Sequence, residues 1–186
     1  MRTGDEPLYV VAIGAITNVA SAILMEPEIL SRIVIVWLGG HALHWPHTRE
    51  FNLKQDPPAS RMIFDCGVPL IHIPCLGVAS HLLTTLAEIE RFVARRGAVG
   101  DYLTEIFRTF SSDHFARSKV LWDISTIGYL INPEWVPTQI VPSPVLTDHL
   151  TWKSGKNRHL IRSALYVQRD EIYRDLFTKL GKSFQE

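Results

Sequence analysis

Residues 33–38 read Ile-Val-Ile-Val-Trp-Leu and are followed at once by Gly39 and Gly40. Every position of the run is apolar, whereas a strand with one solvent-exposed face would alternate apolar and polar side chains. Such a run is typical of a parallel strand that is buried on both faces, and the two glycines end it. We therefore predict a buried parallel strand here, with a loop that begins at its carboxyl end.

A strand and a helix are predicted before this segment. Residues 8–13 form a short run rich in β-branched side chains that ends at Gly14, as expected of another buried strand. Thr17 or Asn18 can then cap a helix, because a side-chain oxygen accepts hydrogen bonds from the free N–H groups of the first turn. The apolar positions of residues 19–24 have helical spacing, so we predict that the helix continues through them.

A second helix and a third strand are predicted after the loop of residues 41–55. Asp56 can cap the helix, Pro57 suits its first position, and Gly67 suits the place just beyond its end. Residues 68–73 are again short and apolar, as in a buried strand. Strand and helix therefore continue to alternate.

The remaining segments extend this alternation. Helical periodicity is seen in residues 82–96, 101–110, 119–131 and 170–180, strands are predicted at 139–141 and 164–167, and residues 142–163 are predicted as a loop or irregular hairpin. Repeated strand–helix units predict an α/β fold with an open, mostly parallel sheet and helices on both faces. Ligands of such sheets bind beyond the carboxyl ends of the strands.

Composition and charge exclude several function classes. The 186 residues are 46% hydrophobic and 20% charged, as is typical of one globular domain. Nineteen basic and nineteen acidic residues cancel, so no overall field favours nucleic acid or an anionic membrane. No apolar run approaches the length of about 20 residues that a membrane span needs, and residues 1–6 lack the apolar core of a signal peptide. We predict a cytoplasmic protein with no nucleic-acid or membrane partner.

The first predicted strand has an uncovered outer edge. It begins within about eight residues of Met1, so no preceding strand–helix unit is available to cover it. We therefore predict that residues 1–186 form a single domain that is truncated at its amino-terminal side.

The predicted strand ends together mark one candidate site. They gather residues 14–18, the loop of residues 39–52, the turn after Ile73, and Asp123. Asp123 stands in an apolar context, where a carboxylate is either a helix cap or a ligand. The Thr17 turn is either a helix cap or a place where a backbone carbonyl faces a metal.

Glu50 and Asn52 are candidate binding residues within that loop. They are separated by one residue, so an extended segment would point both side chains the same way and Phe51 the opposite way, into the core. A carboxylate accepts hydrogen bonds from hydroxyl groups, and an amide both donates and accepts, which suits a vicinal diol. A solvated surface pair is the alternative interpretation.

Histidines and cysteines are common metal ligands, but their spacing in this sequence does not favour a metal site. His41, His44 and His47 recur every three residues, but they share a loop with a proline and a tryptophan that would not keep helical ligand spacing. Cys66 and Cys75 match no zinc signature and are interpreted as small buried apolar residues.

Four pieces of the sequence resemble, in order and spacing, the inosine-uridine-preferring nucleoside hydrolase family. They are Ile13-Gly14-Ala15-Ile16-Thr17-Asn18-Val19-Ala20, then Val36-Trp37-Leu38-Gly39-Gly40, then Glu50-Phe51-Asn52 with Asp56 and Ala59, and finally Trp122-Asp123 with Tyr129-Leu130 and Pro133-Glu134. No single piece is specific, but four pieces in this order rarely arise by chance. The resemblance spans nearly the whole chain.

The resemblance implies a Rossmann-like α/β fold that hydrolyses the N-glycosidic bond of a ribonucleoside to ribose and a free base. It implies one calcium ion, with the Thr17 backbone carbonyl and the Asp123 carboxylate among its ligands, since calcium prefers hard oxygen ligands. Glu50 and Asn52 would hold ribose hydroxyls, and His44 would lie beside the sugar. The complete protein would be a homo-oligomer, either a dimer or a tetramer.

Three departures from the family pattern accompany the resemblance. Trp122 stands where many members carry a histidine proposed to protonate the leaving base, and an indole cannot act as that acid. His44 stands where an asparagine is usual. The aspartate-rich turn that supplies most calcium ligands and the catalytic base is absent, and Asp5 alone does not replace it.

Three hypotheses therefore remain. The first is a nucleoside hydrolase whose upstream segment is missing, with Met1 an internal methionine, so that this chain alone is weak or inactive. The second is a non-catalytic ribose- or nucleoside-binding remnant. The third, a nucleotide-binding domain such as half a dehydrogenase, is disfavoured because no Gly-x-Gly-x-x-Gly follows the first strand.

Overall fold

The computed structural model describes residues 6 to 182, so Met1 and Asp5, which enter the predictions above, lie outside the described residues. The strands are β1 (Leu8–Ala12), β2 (Ile33–Leu38), β3 (Leu70–Ile73), β4 (Leu83–Thr85), β5 (Ser118–Val120), β6 (Thr138–Pro142), β7 (Val145–Leu146), β8 (Trp152–Lys153) and β9 (Leu160–Ala164). The helices are α1 (Thr17–Met25), α2 (Phe51–Gln55), α3 (Pro57–Asp65), α4 (Leu86–Phe92), α5 (Gly97–Thr109), α6 (Ile124–Ile131) and α7 (Arg169–Lys182).

A five-stranded sheet of order β1–β2–β3–β9–β6 forms the centre of the structure. The first four strands are parallel, whereas β6 runs antiparallel to β9. Two small antiparallel ribbons, β4 with β5 and β7 with β8, lie outside this sheet. The prediction of an α/β fold with a mostly parallel sheet is confirmed.

The uniformly apolar β2 is explained by two hydrophobic cores, one on each face of the sheet. Ile35 and Trp37 belong to a core that includes residues of α1 and α3. Val36 and Leu38 alternate with them and belong to a second core that includes residues of α6 and α7. Because successive side chains of a strand point to opposite faces, β2 has no face left for polar residues.

The boundary signals around α3 are confirmed. The Asp56 side chain accepts a hydrogen bond from the Ala59 backbone N–H at 3.0 Å, and Pro57 begins the helix. Gly67 follows the end of the helix with a φ of +82°, a left-handed conformation that glycine adopts without the steric cost of a Cβ.

Several predicted boundaries are wrong. Residues 82–96 hold the short strand β4 before helix α4, and the predicted helix of residues 119–131 is strand β5, a turn and then helix α6. The strand predicted at 164–167 is β9, which ends at Ala164. The predicted cap of α1 also fails, because Thr17 is the first helical residue and Ile16 occupies the cap position without a side-chain hydrogen bond.

Among residues 6 to 182, no helix combines the length and the apolar character needed to span a membrane.

Candidate active site

A cavity of about 520 Å³ lies beyond the carboxyl ends of β1, β2 and β3. Ile13, Leu38 and Cys75 line it from the ends of these strands. The loop after β2 contributes one wall, and the residues after β5 contribute another. The polar and aromatic residues of these two walls are His41, Arg49, Glu50, Phe51, Asn52, Trp122 and Asp123. The structure thus brings the Glu50-Phe51-Asn52 segment next to the Trp122-Asp123 pair.

Glu50 is the N-cap of α2, and its carboxylate is held by three backbone groups. Oε1 accepts from the N–H of Asn52 at 2.9 Å, and Oε2 accepts from Leu53 and Gly40, each at 3.0 Å. The residue is only 7% exposed. These bonds fix the carboxylate in position and compensate for its removal from water.

Asn52 is also buried, although the local geometry differs from the prediction. Its Nδ2 donates to the Leu38 carbonyl at 2.9 Å, which ties α2 to the end of β2. The segment is not extended, because the helix begins at Phe51, and Phe51 is 67% exposed instead of pointing into the core. Glu50 and Asn52 still line the same cavity, but as a cap and a second helical residue and not as alternate residues of a strand.

The turn that holds Glu50 is itself supported from the core. Gly40 has a φ of +71°, and a Cβ added there would lie 2.6 Å from the Thr48 hydroxyl. The neighbouring Gly39 carbonyl is within 2.8 Å of His72 Nε2. His72 is fully buried, and burial lowers its pKa to about 4, so the ring is neutral at pH 7 and can donate this hydrogen bond.

Asp123 lines the wall of the cavity that is formed by the residues after β5, immediately before α6. It occupies the helix cap position, but its side chain makes no capping hydrogen bond. Partial desolvation raises the pKa of its carboxyl group, and the charge of Glu50 raises this pKa further. The residue as a whole remains exposed, so its carboxylate is accessible to a ligand in the cavity.

Cys75 and His41 line the cavity, although sequence reasoning assigned them no role there. Burial raises the pKa of the Cys75 thiol, and the charges of Glu50 and Asp123 add to this effect. Burial likewise lowers the pKa of His41, which the charge of Glu50 partly opposes. Both residues follow the ends of predicted strands, and that position is the signal that could have identified them.

Thr17 and His44 do not line this cavity. The Thr17 hydroxyl donates to Asp56 Oδ2 at 2.6 Å, and its backbone lies at the start of α1. His44 is exposed and packs edge-on against Trp45, with 6.1 Å between ring centroids. Their assignment to a metal and to the sugar, respectively, stays a prediction.

The described residues do not fit a calcium site on their own. Within residues 6 to 182 there is no group of three or more His, Cys, Asp and Glu side chains placed to hold a metal ion. Calcium takes about six to eight oxygen ligands, and the Asp123 carboxylate supplies at most two of them. His41 and His47 have ring centroids 5.5 Å apart, but this pair also lacks a third ligand within that part of the chain.

Comparisons of sequence agree on one family. A family model described as inosine-uridine preferring nucleoside hydrolase matches residues 1–173. A putative pyrimidine-specific ribonucleoside hydrolase, RihB, of Shigella boydii serotype 4 is 31% identical over 146 residues, which cover 75% of this chain and 60% of that protein. The chain therefore spans little more than half the length of this curated relative.

Comparisons of structure agree on the fold. A plant nucleoside hydrolase superposes with a TM-score of 0.79 and 20% identity, over 93% of this chain and 61% of that one. An inosine-uridine preferring nucleoside hydrolase from Bacillus anthracis gives a TM-score of 0.75 and 18% identity, over 97% and 62% of the two chains.

Proposed function

The chain belongs to the inosine-uridine preferring nucleoside hydrolase family, and we propose that its cavity binds the ribose of a ribonucleoside whose N-glycosidic bond the complete protein hydrolyses. The observation that carries this proposal is the fixed, buried pair of Glu50 and Asn52 facing the same cavity as Asp123. A preorganised carboxylate and amide suit a diol, because neither must reorient when the sugar binds.

Glu50 can accept a hydrogen bond from a ribose hydroxyl in this proposal. A carboxylate offers about four acceptor positions, and three are used by the backbone N–H groups of Gly40, Asn52 and Leu53. The Cys75 thiol also hydrogen-bonds the carboxylate, so a ribose hydroxyl would take the place of that thiol when the sugar binds. The three backbone bonds fix the orientation of the carboxylate before the sugar binds.

Asn52 complements Glu50 in this proposal. One N–H of its amide group is used by the Leu38 carbonyl, which fixes the orientation of the amide. Its oxygen and second N–H are then available for a neighbouring hydroxyl, and an amide can both donate and accept. The two residues would hold the ribose ring in one orientation relative to Asp123, which is the kind of positioning that favours attack at the anomeric carbon.

Departure of the base needs a proton donor other than Trp122. Cleavage of the C–N bond passes through a sugar with oxocarbenium character, and the leaving base is stabilised when it is protonated. The Trp122 indole lines the cavity but does not transfer protons. Trp122 would instead pack against the base, and the proton would reach the base from solvent.

Calorimetry can test the ribose contact. We expect inosine to bind the full 186-residue chain about tenfold more tightly than 2′,3′-dideoxyinosine, a difference equivalent to one good hydrogen bond to a charged group. Asn52→Ala should remove most of this difference, whereas Asn132→Ala, at the cap of a remote turn, should not. Equal affinity for the two nucleosides, or no binding of either, would contradict the proposal.

A second candidate is a nucleoside-binding chain that does not hydrolyse its ligand. The lack of a metal-ligand group within residues 6 to 182 favours it for the 186 residues taken alone. We expect the chain to bind inosine but to release little or no hypoxanthine over hours in buffer containing calcium, as followed by chromatography. Strong base release that Asp123→Ala abolishes would decide against this candidate.

A further inference from the structure

A separate cavity of about 350 Å³ lies near the amino-terminal ends of the parallel strands, whereas the candidate active site lies beyond their carboxyl ends. Seven of its ten lining residues within the described part of the chain are apolar, and the other three are Tyr9, Tyr129 and Arg162. Among residues 6 to 182 the two cavities share no lining residue. We call this second space the tyrosine–arginine cavity.

The register of the sheet brings side chains from both edges of the sheet onto the face that borders this cavity. Tyr9 of β1 pairs with Val34 of β2, and Arg162 of β9 lies between Ile71 of β3 and Ile140 of β6. Val34 and Ile71 contribute to the second core, on the side of α6 and α7. Because paired residues point to the same face of a sheet, Tyr9, Arg162 and Ile140 point to that face as well.

Tyr129 of α6 carries a hydroxyl group that has no hydrogen-bond partner within residues 6 to 182. The residue is only 9% exposed and lines the tyrosine–arginine cavity. Burial raises the pKa of its phenol, the charge of Arg162 opposes this increase, and Tyr9 adds to it. Both neighbours therefore lie close to the Tyr129 side chain. A buried hydroxyl without a partner is unfavourable, and an acceptor atom of a ligand in the cavity would satisfy it.

Arg162 is the charged residue of the cavity lining, and its guanidinium group has no acidic partner within the described part of the chain. Its Nη1 donates to the Thr138 hydroxyl at 3.4 Å, which is longer than a typical hydrogen bond of this kind. A cavity lined by a cation and by no carboxylate favours an anion. The planar guanidinium matches a carboxylate in particular, because it can donate two parallel hydrogen bonds to it.

The rim of the tyrosine–arginine cavity is apolar and exposed. Ile140 and Leu160 line it and are 59% and 62% exposed. Leu160 precedes Arg162 by two residues on β9, so the two side chains share one face of the sheet. A ligand with an apolar body beside its anionic group would cover both Ile140 and Leu160, which stabilises the complex by removing apolar surface from water.

We propose that the tyrosine–arginine cavity binds a small amphipathic carboxylate. Arg162 and the hydroxyl groups of Tyr129 and Tyr9 hold the carboxylate, and the apolar body of the ligand lies against Ile140 and Leu160. The volume of the cavity is in the range of small-molecule sites. The inference goes beyond the proposed function and does not depend on it, because none of these residues lines the candidate active site.

Calorimetric titration of the full 186-residue chain with octanoate, octan-1-ol and octylammonium tests the proposal, at concentrations below those at which these compounds form micelles. We expect octanoate to bind about tenfold more tightly than octan-1-ol, since a hydrogen-bonded ion pair is worth about that factor. Octylammonium should bind no more tightly than octan-1-ol, because its charge repels the guanidinium group.

Two variants identify the residues that carry this preference. Arg162→Gln should remove the preference for octanoate and leave octan-1-ol binding within about twofold. Tyr129→Phe keeps the ring and removes only the unpaired hydroxyl, so it should fold and should weaken octanoate binding by about fivefold. The matched controls are Arg91→Gln and Tyr102→Phe, at exposed positions outside the cavity lining, and both should leave octanoate binding within about twofold.

Equal affinity for octanoate and octan-1-ol would overturn the proposal, as would no binding of octanoate or a preference that Arg162→Gln retains. Titration in the presence of saturating inosine separates the two cavities, because octanoate that inosine displaces is bound at the candidate active site, which also overturns the proposal. If inosine itself does not bind, the proposed function fails while the octanoate test stands. A dimer that dissociates in Arg162→Gln would show that a second copy covers the cavity and would overturn the proposal too.

Discussion

His72 shows how one buried residue couples the core to the candidate site. Its Nε2 bonds the Gly39 carbonyl at 2.8 Å and its Nδ1 lies 3.3 Å from the Ser163 hydroxyl. The ring thus links β3 to the turn after β2 on one side and to β9 on the other. Since Gly40 in that turn donates to Glu50, the neutral histidine contributes to the position of the carboxylate.

The buried His72 should make the protein less stable in mild acid. Burial lowers its pKa from 6.5 to about 4, so the unfolded chain takes up a proton between these values while the native ring does not. The stabilisation is therefore complete above pH 6.5 and is lost as the pH falls toward 4, with a change of about 3 kcal/mol in the free energy of unfolding. Urea unfolding at several pH values measures it.

Two variants and one direct observation check this pH prediction. His72→Gln should flatten the profile between pH 4 and 6.5, and His44→Gln, at an exposed position, should retain it. NMR signals of the His72 ring should show no protonation in the native protein at pH 5.5. A native His72 that titrates near 6.5 would refute the prediction even if His72→Gln does not fold.

Residue-level prediction succeeded where the sequence itself encodes the contact. Asp56 was identified as a cap because its partner, the Ala59 N–H, lies three residues away. The spacing of Glu50 and Asn52 predicts that both side chains face one way, and the two do line the same cavity. The predicted direction of Phe51 is wrong because a five-residue helix replaces the expected extended segment. His72 was unremarkable in the sequence, since both of its partners are distant along the chain.

At the level of elements, α1 and α3 are joined at their amino-terminal ends. The Asp56 carboxylate accepts from its own helix at Ala59 and from the Thr17 hydroxyl of α1. These two bonds, with the Thr17 hydroxyl first, lower the pKa of Asp56. One side chain therefore caps one helix and fixes the start of the other.

A double-mutant cycle measures this connection between the helices. Asp56→Ala should destabilise the protein by about 1 kcal/mol through loss of the cap. Thr17→Val should show a coupling of about 0.5 kcal/mol with it, because the two side chains share a hydrogen bond. Ser31→Ala, which removes a local bond to Glu28, should be additive with Asp56→Ala. Additivity of the Thr17 pair would argue against the connection.

Element types were harder to predict where pairing is non-local. Residues 119 and 120 are predicted to begin a helix, but they belong to strand β5, because β4 supplies an antiparallel partner more than thirty residues earlier, as the pairing of Thr85 with Ser118 shows. The strand β9 was displaced in the prediction because its register is set by β3 and β6 on either side. Local periodicity carries no information about such partners.

At the scale of the whole molecule, the outer edge of β1 is the feature that bears on association between chains. Within residues 6 to 182, β1 pairs only with β2 and ends the sheet. Leu8 and Tyr9 on this strand are about half exposed. An edge with free backbone groups and apolar side chains favours pairing with another chain.

We therefore expect the 186-residue chain to associate through β1. Light scattering should give a mass above the 21.1 kDa of one chain. Tyr9→Lys should shift the mass toward the monomer, because a charge on an edge strand disfavours pairing. Phe115→Lys, at a position that is 90% exposed on another surface, should not. A monodisperse wild-type monomer at high concentration would refute this expectation.

The position of β9 beside β3 determines when the site can exist during synthesis of the chain. His72 and Ser163, which meet across these strands, are 91 positions apart. As the chain leaves the ribosome, β1, β2 and β3 can pair early, but the free side of β3 stays open until the last quarter has emerged. Closing so long a loop slows folding and leaves that open side prone to misassembly. Glu50 and Asn52 are synthesised early and Trp122 and Asp123 later. Ser163, the partner of His72, is synthesised last, so the support of the site from β9 forms only near the end of synthesis.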